Sequence, residues 1–525
     1  MKAKIKEILY NMFTPKNPDE LIAAGKKSEL KKTLTVFDLI ILGIGAVVGT
    51  GIFTIVGIAI QGGHESLGAG PAIIVSMILA AISCVFSALC YSEIAAMIPV
   101  AGSAYTYTYA TMGEFMAWMV GWILMLEYAI GNITIACAWT GYLTQLLKGF
   151  VDVLPPFVVN FPIWLRNDYR SISLICDKYS IDIHDKIPFL FGTIPFAINL
   201  PAILLIFVLT LILIKGVKES TKVAGILVAL NMFIISSFVL VGMFYVKPAN
   251  WTPFAPNGIE GIVMGAFLIF FAYVGFDAIS TTAEETKNPQ RDLPIGILGT
   301  LIICTVLYIS VALVLTGIVP VSAIDTQAPI AAAMRFIGKD WFAGLISVAA
   351  VAGLTSVLLI YQLGTTRILY AMSRDGFLPK PLRAVHKKFR TPHVLTWLAG
   401  FIVMGCALFM DLNISAELCN FGTFTSFIII CLAVLILRKT DPNRERPFKV
   451  PFVPLFPILG IITCGGLMFY SMGSLITSLK YFIVWLFIGI VIYITHSYKT
   501  LRAAEAKKEY FRQKALEIKQ QQENN

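Results

Sequence analysis

Long apolar segments recur along the whole sequence and constrain its fold more than any other feature. A helix needs about 20 apolar residues to cross the hydrocarbon core of a bilayer. Segments of that length, numbered here as spans 1 to 12, lie near residues 36–60, 71–97, 115–147, 195–214, 223–246, 258–283, 293–319, 341–366, 393–411, 415–437, 453–478 and 481–498. This pattern predicts an all-α polytopic membrane protein with about twelve transmembrane helices.

The composition supports a membrane protein and argues against a soluble one. Hydrophobic residues make up 57% of the chain and charged residues 14%, whereas soluble domains carry about 25% charged residues. A soluble chain of this length with so few charges would expose large apolar patches and aggregate. We therefore expect the apolar surface to face the lipid bilayer.

Basic residues are distributed unevenly among the loops. The net charge is +10, and 32 of the 41 lysines and arginines lie in the two termini and in the loops after even-numbered spans. This asymmetry follows the positive-inside rule and places both termini in the cytoplasm. It accounts for the basic charge without nucleic-acid binding. We expect the protein to reside in a plasma membrane or a bacterial inner membrane.

Three hydrophilic segments flank or interrupt the spans. Residues 1–35 are charged and lack the apolar core of a signal peptide. Residues 148–194 form a polar loop on the external side, and residues 499–525 form a basic cytoplasmic tail. Spans 11 and 12, residues 453–498, lie between the last long loop and this tail.

The sequence carries no motif that indicates an enzyme or a metal site. None of its nine cysteines is arranged as C-x-x-C, and neither H-E-x-x-H nor G-x-S-x-G occurs. We expect no catalytic residue, no metal and no cofactor. The cysteines are predicted to be small apolar packing residues.

Span 1 is unusually rich in glycine. Residues 43–53 read GIGAVVGTGIF, with four glycines in the first nine positions. Each glycine costs about 1 kcal/mol relative to alanine within a helix. One interpretation is close helix packing through Gly45 and Gly49. The other, which we favour, is a helix broken at the bilayer midplane, where exposed backbone groups bind a ligand.

Span 6 contains a second interruption. Residues 270–277 read FFAYVGFD, so a glycine and the carboxylate Asp277 fall within an apolar run. A charged residue within a membrane costs about 2.5–3.5 kcal/mol on insertion scales and is a functional candidate. Spans 1 and 6 are five apart, which predicts two inverted repeats at residues 36–246 and 258–437.

Three separated motifs resemble a known transporter family. Residues 45–53 (GAVVGTGIF), 276–278 with 283–294 (FDA and AEETKNPQRDLP) and 367–379 (RILYAMSRDGFLP) are similar to signatures of the amino acid–polyamine–organocation superfamily. They most closely resemble the cationic amino acid transporter family, bacterial members included. The resemblance implies a LeuT-like fold with ten core helices in two inverted repeats and two further C-terminal helices.

The resemblance also implies where an amino acid would bind. The substrate carboxylate would meet backbone N–H groups of Gly49, Thr50 and Gly51. The α-amino group would meet backbone carbonyls at both breaks, near Val47, Phe271, Ala272 and Val274. A zwitterion needs such a pair of sites, because a helix N-terminus attracts an anion and carbonyl groups attract a cation.

Tyr361 in span 8 is the candidate for substrate specificity. Its position relative to the family implies that it faces the side-chain pocket, where transporters of arginine and lysine tend to carry a small residue. A tyrosine there favours small or medium neutral amino acids. The alternative role for Tyr361 is packing against lipid or a neighbouring helix. Alternative functions are transport of arginine, lysine or polyamines, and amino acid sensing without transport.

Proton coupling has two candidate residues. Bacterial relatives often carry a lysine in the fifth span where this chain has Asn231, and an amide cannot carry a proton near neutral pH. Glu127 in span 3 lies well inside an apolar helix and is the remaining candidate for symport with protons; exchange of amino acids is the other mode of transport. Alternatively, Glu127 forms a structural hydrogen bond, for which Asn231 is one candidate partner. Any accessory subunit is unknown.

Charged residues cluster at the predicted cytoplasmic ends of spans 6 to 8. Ion pairs between them would form an inner gate that breaks during transport, or they are ordinary solvated charges, each pair contributing under about 1 kcal/mol. The residues concerned are Glu284, Glu285, Arg291, Arg367, Arg374 and Asp375.

Overall fold

The computed structural model describes residues 12–26, 32, 34–63, 66–100, 102–148, 155, 161–179, 181–190, 194–215, 220–389, 391–408, 410, 412–500 and 502. Residues 1–11 of the predicted N-terminal segment and residues 503–525 of the predicted tail lie outside the described residues. The same holds for parts of the external loop between residues 149 and 193.

The described chain is built almost entirely of helices. In chain order the α-helices of eight or more residues are α1 Pro18–Lys26, α2 Val36–Val47, α3 Gly51–Gln61, α4 Ile73–Met97, α5 Ser103–Met112, α6 Glu114–Lys148, α7 Tyr169–Tyr179, α8 Leu200–Lys215, α9 Ser220–Gly242, α10 Gly258–Phe270, α11 Pro289–Ile318, α12 Pro329–Phe336, α13 Asp340–Asp375, α14 His393–Cys406, α15 Leu412–Thr440, α16 Leu455–Met472 and α17 Ile476–Ile492. Two-residue strands β1 Phe189–Leu190 and β2 Ile194–Pro195 pair antiparallel in the loop that was predicted to be external.

The predicted fold class is confirmed: the chain is an all-α polytopic membrane protein. Among the described residues, nine helices are long and apolar enough to cross a membrane, and the bent pair α2–α3 makes a tenth. The helices α8 and α14 have 16 and 14 residues and lie at the predicted spans 4 and 9. Each of the twelve predicted spans thus coincides with a helix or a helix pair.

The boundary between spans 11 and 12 was predicted several residues too late. We placed the turn at residues 479–480, beside Lys480, but α16 ends at Met472 and α17 begins at Ile476. Lys480 lies within α17 with its side chain exposed. Long lysine side chains can reach polar surroundings from within an apolar helix, so this charge does not end the span.

The helix α6 forms the centre of the bundle, packed between α13 and α15. Nearly all of its most apolar segment is buried within the protein, whereas most of α16 and α17 is exposed on the bundle surface. Apolar residues on such an exposed surface face lipid in a membrane protein. Functional groups on α6 are therefore enclosed by other helices.

Candidate substrate site

Span 1 is broken at the glycine-rich motif, as predicted. The helix α2 begins at a capping box between Thr35 and Asp38, and its C-cap Val48 leaves the helical conformation. The helix α3 starts with a π turn at Gly51–Ile55, and the two helices meet at an angle of 42°. The first N–H groups of a helix lack intrahelical partners, so this start offers donors to an anion.

Span 6 is broken at Val274 and Gly275. The helix α10 passes into a 3-10 turn at Phe271–Tyr273, Val274 is extended, and a 3-10 helix follows at Phe276–Glu285. Gly275 has φ of +118°, a conformation that residues with a side chain rarely adopt. The breaks at residues 48–50 and 274–275 are called the paired breaks below.

The paired breaks lie directly against each other. A methyl group added to Gly51 would lie 2.2 Å from Ala272 Cα, and one added to Gly275 would lie 2.9 Å from the Ala46 carbonyl oxygen. On the opposite side, Gly49 packs against Val357 of α13. The glycines are thus required for close approach of two interrupted backbones.

Backbone carbonyls from both breaks converge on tyrosine hydroxyls. Tyr308 of α11 lies with its hydroxyl 2.9 Å from the Val47 carbonyl and 3.0 Å from the Ala272 carbonyl. Tyr361 of α13 donates to the Val274 carbonyl at 3.3 Å. The Phe271 carbonyl accepts the Val274 N–H within the 3-10 turn. The structure thus brings together the residues predicted to bind an α-amino group.

Thr50 is buried between these groups, with 1% of its surface exposed. Its hydroxyl has no hydrogen-bond partner within the described part of the chain. Buried polar atoms without a partner are uncommon in proteins and call for an explanation. The hydroxyl stands beside the start of α3, where the substrate carboxylate is predicted to bind.

Two tyrosines form an aromatic wall beside the paired breaks. The rings of Tyr361 and Tyr128 lie 5.3 Å apart, Tyr361 packs against Gly131, and Tyr128 packs against Gly364. Tyr361 is only 2% exposed, so it does not pack against lipid, and its contact with Gly131 is the packing against a neighbouring helix named as the other part of that alternative. Glycine opposite each ring lets α6 and α13 approach closely enough to enclose both.

Two carboxylates are buried behind this wall. Asp277 accepts a hydrogen bond from the Tyr128 hydroxyl at 2.8 Å through one oxygen. Its other oxygen and both oxygens of Glu127 have no well-formed hydrogen bond to any described residue, although the Thr423 hydroxyl lies close to Glu127 and backbone N–H groups within residues 275–278 lie close to Asp277. Glu127 and Asp277 are 1% exposed and near enough to interact electrostatically. Buried carboxylates without a cationic partner are costly unless they bind a proton or another cation.

The proposed hydrogen bond between Glu127 and Asn231 is wrong. Asn231 packs against Gly353, where an added methyl group would lie 2.4 Å from its amide nitrogen, whereas Glu127 lies beside Gly422 of α15. The two residues therefore contact different helices, Asn231 contacting α13 and Glu127 contacting α15. Asn231 instead lines a small cavity with Gly45, Val48 and Ser356, with room for about one water molecule.

Three of the predicted gate charges take part in two ion pairs of the described chain. Arg367 lies 3.2 Å from Glu285, whereas Asp375 pairs with Lys16 at 3.5 Å and accepts the Tyr105 hydroxyl at 2.7 Å. Glu284 is half-buried. The side chains of Arg291 and Arg374 are exposed. Lys16 was not among the predicted residues, because it lies far from spans 6 to 8 in sequence.

The predicted external half of span 1 is covered by other segments. Tyr142 of α6 donates its hydroxyl to the Phe53 carbonyl at 2.6 Å, and Thr54 donates to the Gln327 carbonyl at 3.3 Å. Arg335 of α12 bonds to Gln145, reaching its backbone carbonyl at 3.0 Å. The paired breaks are therefore enclosed by α6 and by the segment that carries α12.

The profile of the amino acid permease family matches residues 34–496, which is most of the chain. The chain belongs to the amino acid permease family. It is thus a transporter of the amino acid–polyamine–organocation superfamily and an integral membrane protein, which confirms the resemblance found in the sequence. The candidate site of this permease lies on spans 1 and 6, which carry two of the three family-like motifs.

Curated relatives of this permease are named for different transported substrates. The methylthioribose transporter of Bacillus subtilis (strain 168) is 41% identical over 94% of this chain and 99% of the relative. The branched-chain amino acid permease BcaP of the same organism is 40% identical over 93% of this chain and 98% of the relative. The chloroplastic cationic amino acid transporter 9 of Arabidopsis thaliana is 36% identical over 86% of this chain and 75% of the relative.

Sequence analysis missed Tyr308, Tyr128 and Tyr142. Each lies in a long apolar helix, where a tyrosine resembles any other packing residue. A buried tyrosine hydroxyl usually finds a partner, so tyrosines in apolar spans are a usable signal for polar contacts. The sequence does not indicate which partner each hydroxyl finds.

Proposed function

We propose that this permease is a secondary active transporter of small to medium neutral amino acids, which bind at the paired breaks and cross by alternating access. The observation that carries this proposal is the convergence of the Val47, Ala272 and Val274 carbonyls beside the start of α3. Carbonyls suit an ammonium group and helix N-termini suit a carboxylate. An amino acid carries both groups on one carbon atom.

The aromatic wall supports a neutral substrate of limited size. The rings of Tyr361 and Tyr128 fill the space between α6 and α13, and both pack directly on glycine. A long cationic side chain would need that space. The branched-chain permease of Bacillus subtilis, at 40% identity, agrees with this choice. The plant cationic transporter, at 36% identity, makes arginine the alternative to test.

Glu127 and Asp277 are the proposed proton-coupling pair. They are buried, lie near each other, and together leave three carboxylate oxygens without a well-formed hydrogen bond in the described chain. The neighbouring titratable side chains are Tyr91, Tyr128, Tyr361 and Cys419. A proton shared between two such carboxylates would relieve their repulsion. Asn231 lies apart from them and takes no part.

Alternating access requires closures on both sides of the site. On the predicted cytoplasmic side, Arg367–Glu285 and Lys16–Asp375 are the ion pairs that would break. On the predicted external side, the contacts of Tyr142 and Thr54 with neighbouring segments would break. We propose that residues 36–246 and 258–437 form the two repeats that rock during this cycle, with both termini in the cytoplasm.

Methylthioribose is the second candidate substrate. The relative that carries it is 41% identical and is covered over 99% of its length. A ribose presents hydroxyl donors, and the carboxylate oxygens of Glu127 and Asp277 are acceptors for such donors. Methylthioribose has no ammonium group, so the carbonyls of the paired breaks would have to accept hydrogen bonds from other donors.

Counterflow into proteoliposomes tests these alternatives. Vesicles are preloaded with one compound, and uptake of labelled alanine, leucine, arginine and methylthioribose is followed with and without a pH gradient. Accumulation of alanine or leucine supports the proposal, and a response to the gradient supports proton symport. Accumulation of arginine or methylthioribose alone would overturn the substrate class. Binding without any accumulation would indicate a sensor.

A further inference from the structure

The Val47 and Ala272 carbonyls belong to different spans but face the same hydroxyl group. The Tyr308 hydroxyl oxygen lies 2.9 Å from one carbonyl oxygen and 3.0 Å from the other. A tyrosine hydroxyl has a single hydrogen atom to donate. Two buried acceptors therefore share one donor, and their hydrogen-bonding capacity exceeds what Tyr308 supplies.

A third carbonyl nearby is satisfied in the same way. Tyr361 donates to the Val274 carbonyl at 3.3 Å, which is longer than an ordinary bond between hydroxyl and carbonyl. Tyr308 belongs to α11 and Tyr361 belongs to α13. Tyrosine hydroxyls thus contact three carbonyls that converge from two broken helices.

We propose that Tyr308 is a specificity-determining residue whose hydroxyl takes the place of the substrate ammonium group before binding and is displaced when an amino acid binds. An ammonium group has three N–H donors and a full charge, so it gives each carbonyl its own charge-assisted bond. A ligand without an amino group displaces the hydroxyl and supplies no donors. The inference rests on the proposed function, because it assumes that an amino acid binds at the paired breaks.

Displacement of the Tyr308 hydroxyl adds a free-energy cost to ligand binding. Removing the donor from buried carbonyls is unfavourable unless the ligand replaces it. A site built around such acceptors rejects analogues that cannot satisfy them. Tyr308 would therefore select against carboxylic acids that match the substrate in shape but lack nitrogen.

The variant Tyr308→Phe removes the hydroxyl and keeps the ring. Before substrate binds, the Val47 and Ala272 carbonyls of this variant lack the hydroxyl donor. The incoming ammonium group therefore no longer competes with a hydroxyl for them. We expect leucine or alanine to bind the purified variant about five-fold or more tightly than wild type. The melting temperature without ligand should fall, and the rise caused by saturating leucine should exceed that of wild type.

Tyr273→Phe is the matched control. Tyr273 is also fully buried, its ring lies 5.5 Å from that of Tyr308, and its hydroxyl donates to the Met77 carbonyl of α4 at 3.2 Å. This variant should lose stability without ligand while its leucine affinity and leucine-induced shift stay those of wild type. An equal change in both variants would show a general structural role and overturn the proposal.

The other possible results distinguish a failure of this inference from a failure of the proposed function. Unchanged or weaker leucine binding by Tyr308→Phe, with normal binding by wild type, overturns the inference and leaves the proposed function intact. Failure of wild type to bind alanine and leucine overturns both. If Tyr308→Phe does not fold, Tyr361→Phe removes the donor of the Val274 carbonyl, and tighter leucine binding is again the expected result.

Discussion

Gly51 and Ala272 are in such close contact that a methyl group on Gly51 would lie 2.2 Å from the Ala272 Cα atom. The obstructing atom belongs to the backbone of span 6 and cannot rotate away. Gly51→Ala should therefore force the paired breaks apart, abolish counterflow of the substrate and destabilise the protein by about 1–3 kcal/mol. Counterflow and the melting temperature measure the two effects.

Gly466→Ala provides the comparison for this substitution. Gly466 lies in α16, where an added methyl group would meet nothing within 4 Å. Alanine there should keep full counterflow and should not destabilise the protein, because alanine is favoured over glycine within a helix by up to about 1 kcal/mol. Transport at the wild-type rate by Gly51→Ala would show that the close contact of the paired breaks is not required for transport, and would contradict their role as the substrate site.

Tyr361 should limit substrate size. Tyr361→Ala removes a ring that packs against Gly131 and Tyr128 and opens space between α6 and α13. We expect a higher KM for leucine and new uptake of arginine, with stability lowered by about 3–5 kcal/mol from the cavity. Uptake of labelled arginine by vesicles containing the variant is the measurement.

A cavity made elsewhere in the protein should not change which substrates are transported. Tyr493 is fully buried in an aromatic cluster with Trp118 and Phe115, remote from the paired breaks. Tyr493→Ala should lose comparable stability and still exclude arginine. Arginine uptake by this variant, or none by Tyr361→Ala, would count against a pocket role for Tyr361.

Arg367 and Glu285 should act as a weak inner closure. Their side chains are 40% and 27% exposed, so the 3.2 Å pair is expected to contribute about 0.2–1 kcal/mol. Neutralising either residue should change the initial exchange rate by at most about five-fold, and the effect should shrink in high salt. Exchange rates at two ionic strengths measure this.

Exchanging the two charges tests the pair directly. Each single charge reversal should change the initial exchange rate. The double variant Arg367→Glu with Glu285→Arg should restore the wild-type rate. Arg374→Gln, at an exposed position in the last turn of α13, should leave the rate unchanged. Additive effects of the two reversals would show that the charges act independently.

Sequence patterns predicted the helices well because membrane crossing imposes a length and a composition on each one. The same reasoning located both breaks, since glycine at Gly49 and Gly275 and the carboxylate of Asp277 are costly in a continuous apolar helix. It misplaced the turn before α17, where Lys480 looked like the end of a span. A single charge is a weak signal when its side chain can reach water.

Contacts between helices could not be predicted from these patterns. Glu127 and Asn231 were both recognised as polar residues within spans, but their proposed hydrogen bond required knowing which helix faces which. Tyr308 was overlooked because its ring fits an apolar helix, and its role depends on carbonyls 261 and 36 residues away. The partners of a polar group are set by the packing of whole helices.

Glu127 should be required for the response to a pH gradient and not for exchange. Glu127→Gln keeps the shape of a side chain whose two oxygens lack well-formed hydrogen bonds in the described chain but removes its ability to release a proton. If Glu127 and Asp277 carry the coupled proton, the variant should retain counterflow while losing gradient-driven accumulation by about ten-fold or more. Glu417→Gln is the control, because Glu417 is another buried carboxylate, and it accepts a hydrogen bond from Ser478 of α17. Normal gradient-driven accumulation by Glu127→Gln would assign coupling to another group, whereas loss of both activities would place Glu127 in substrate binding itself.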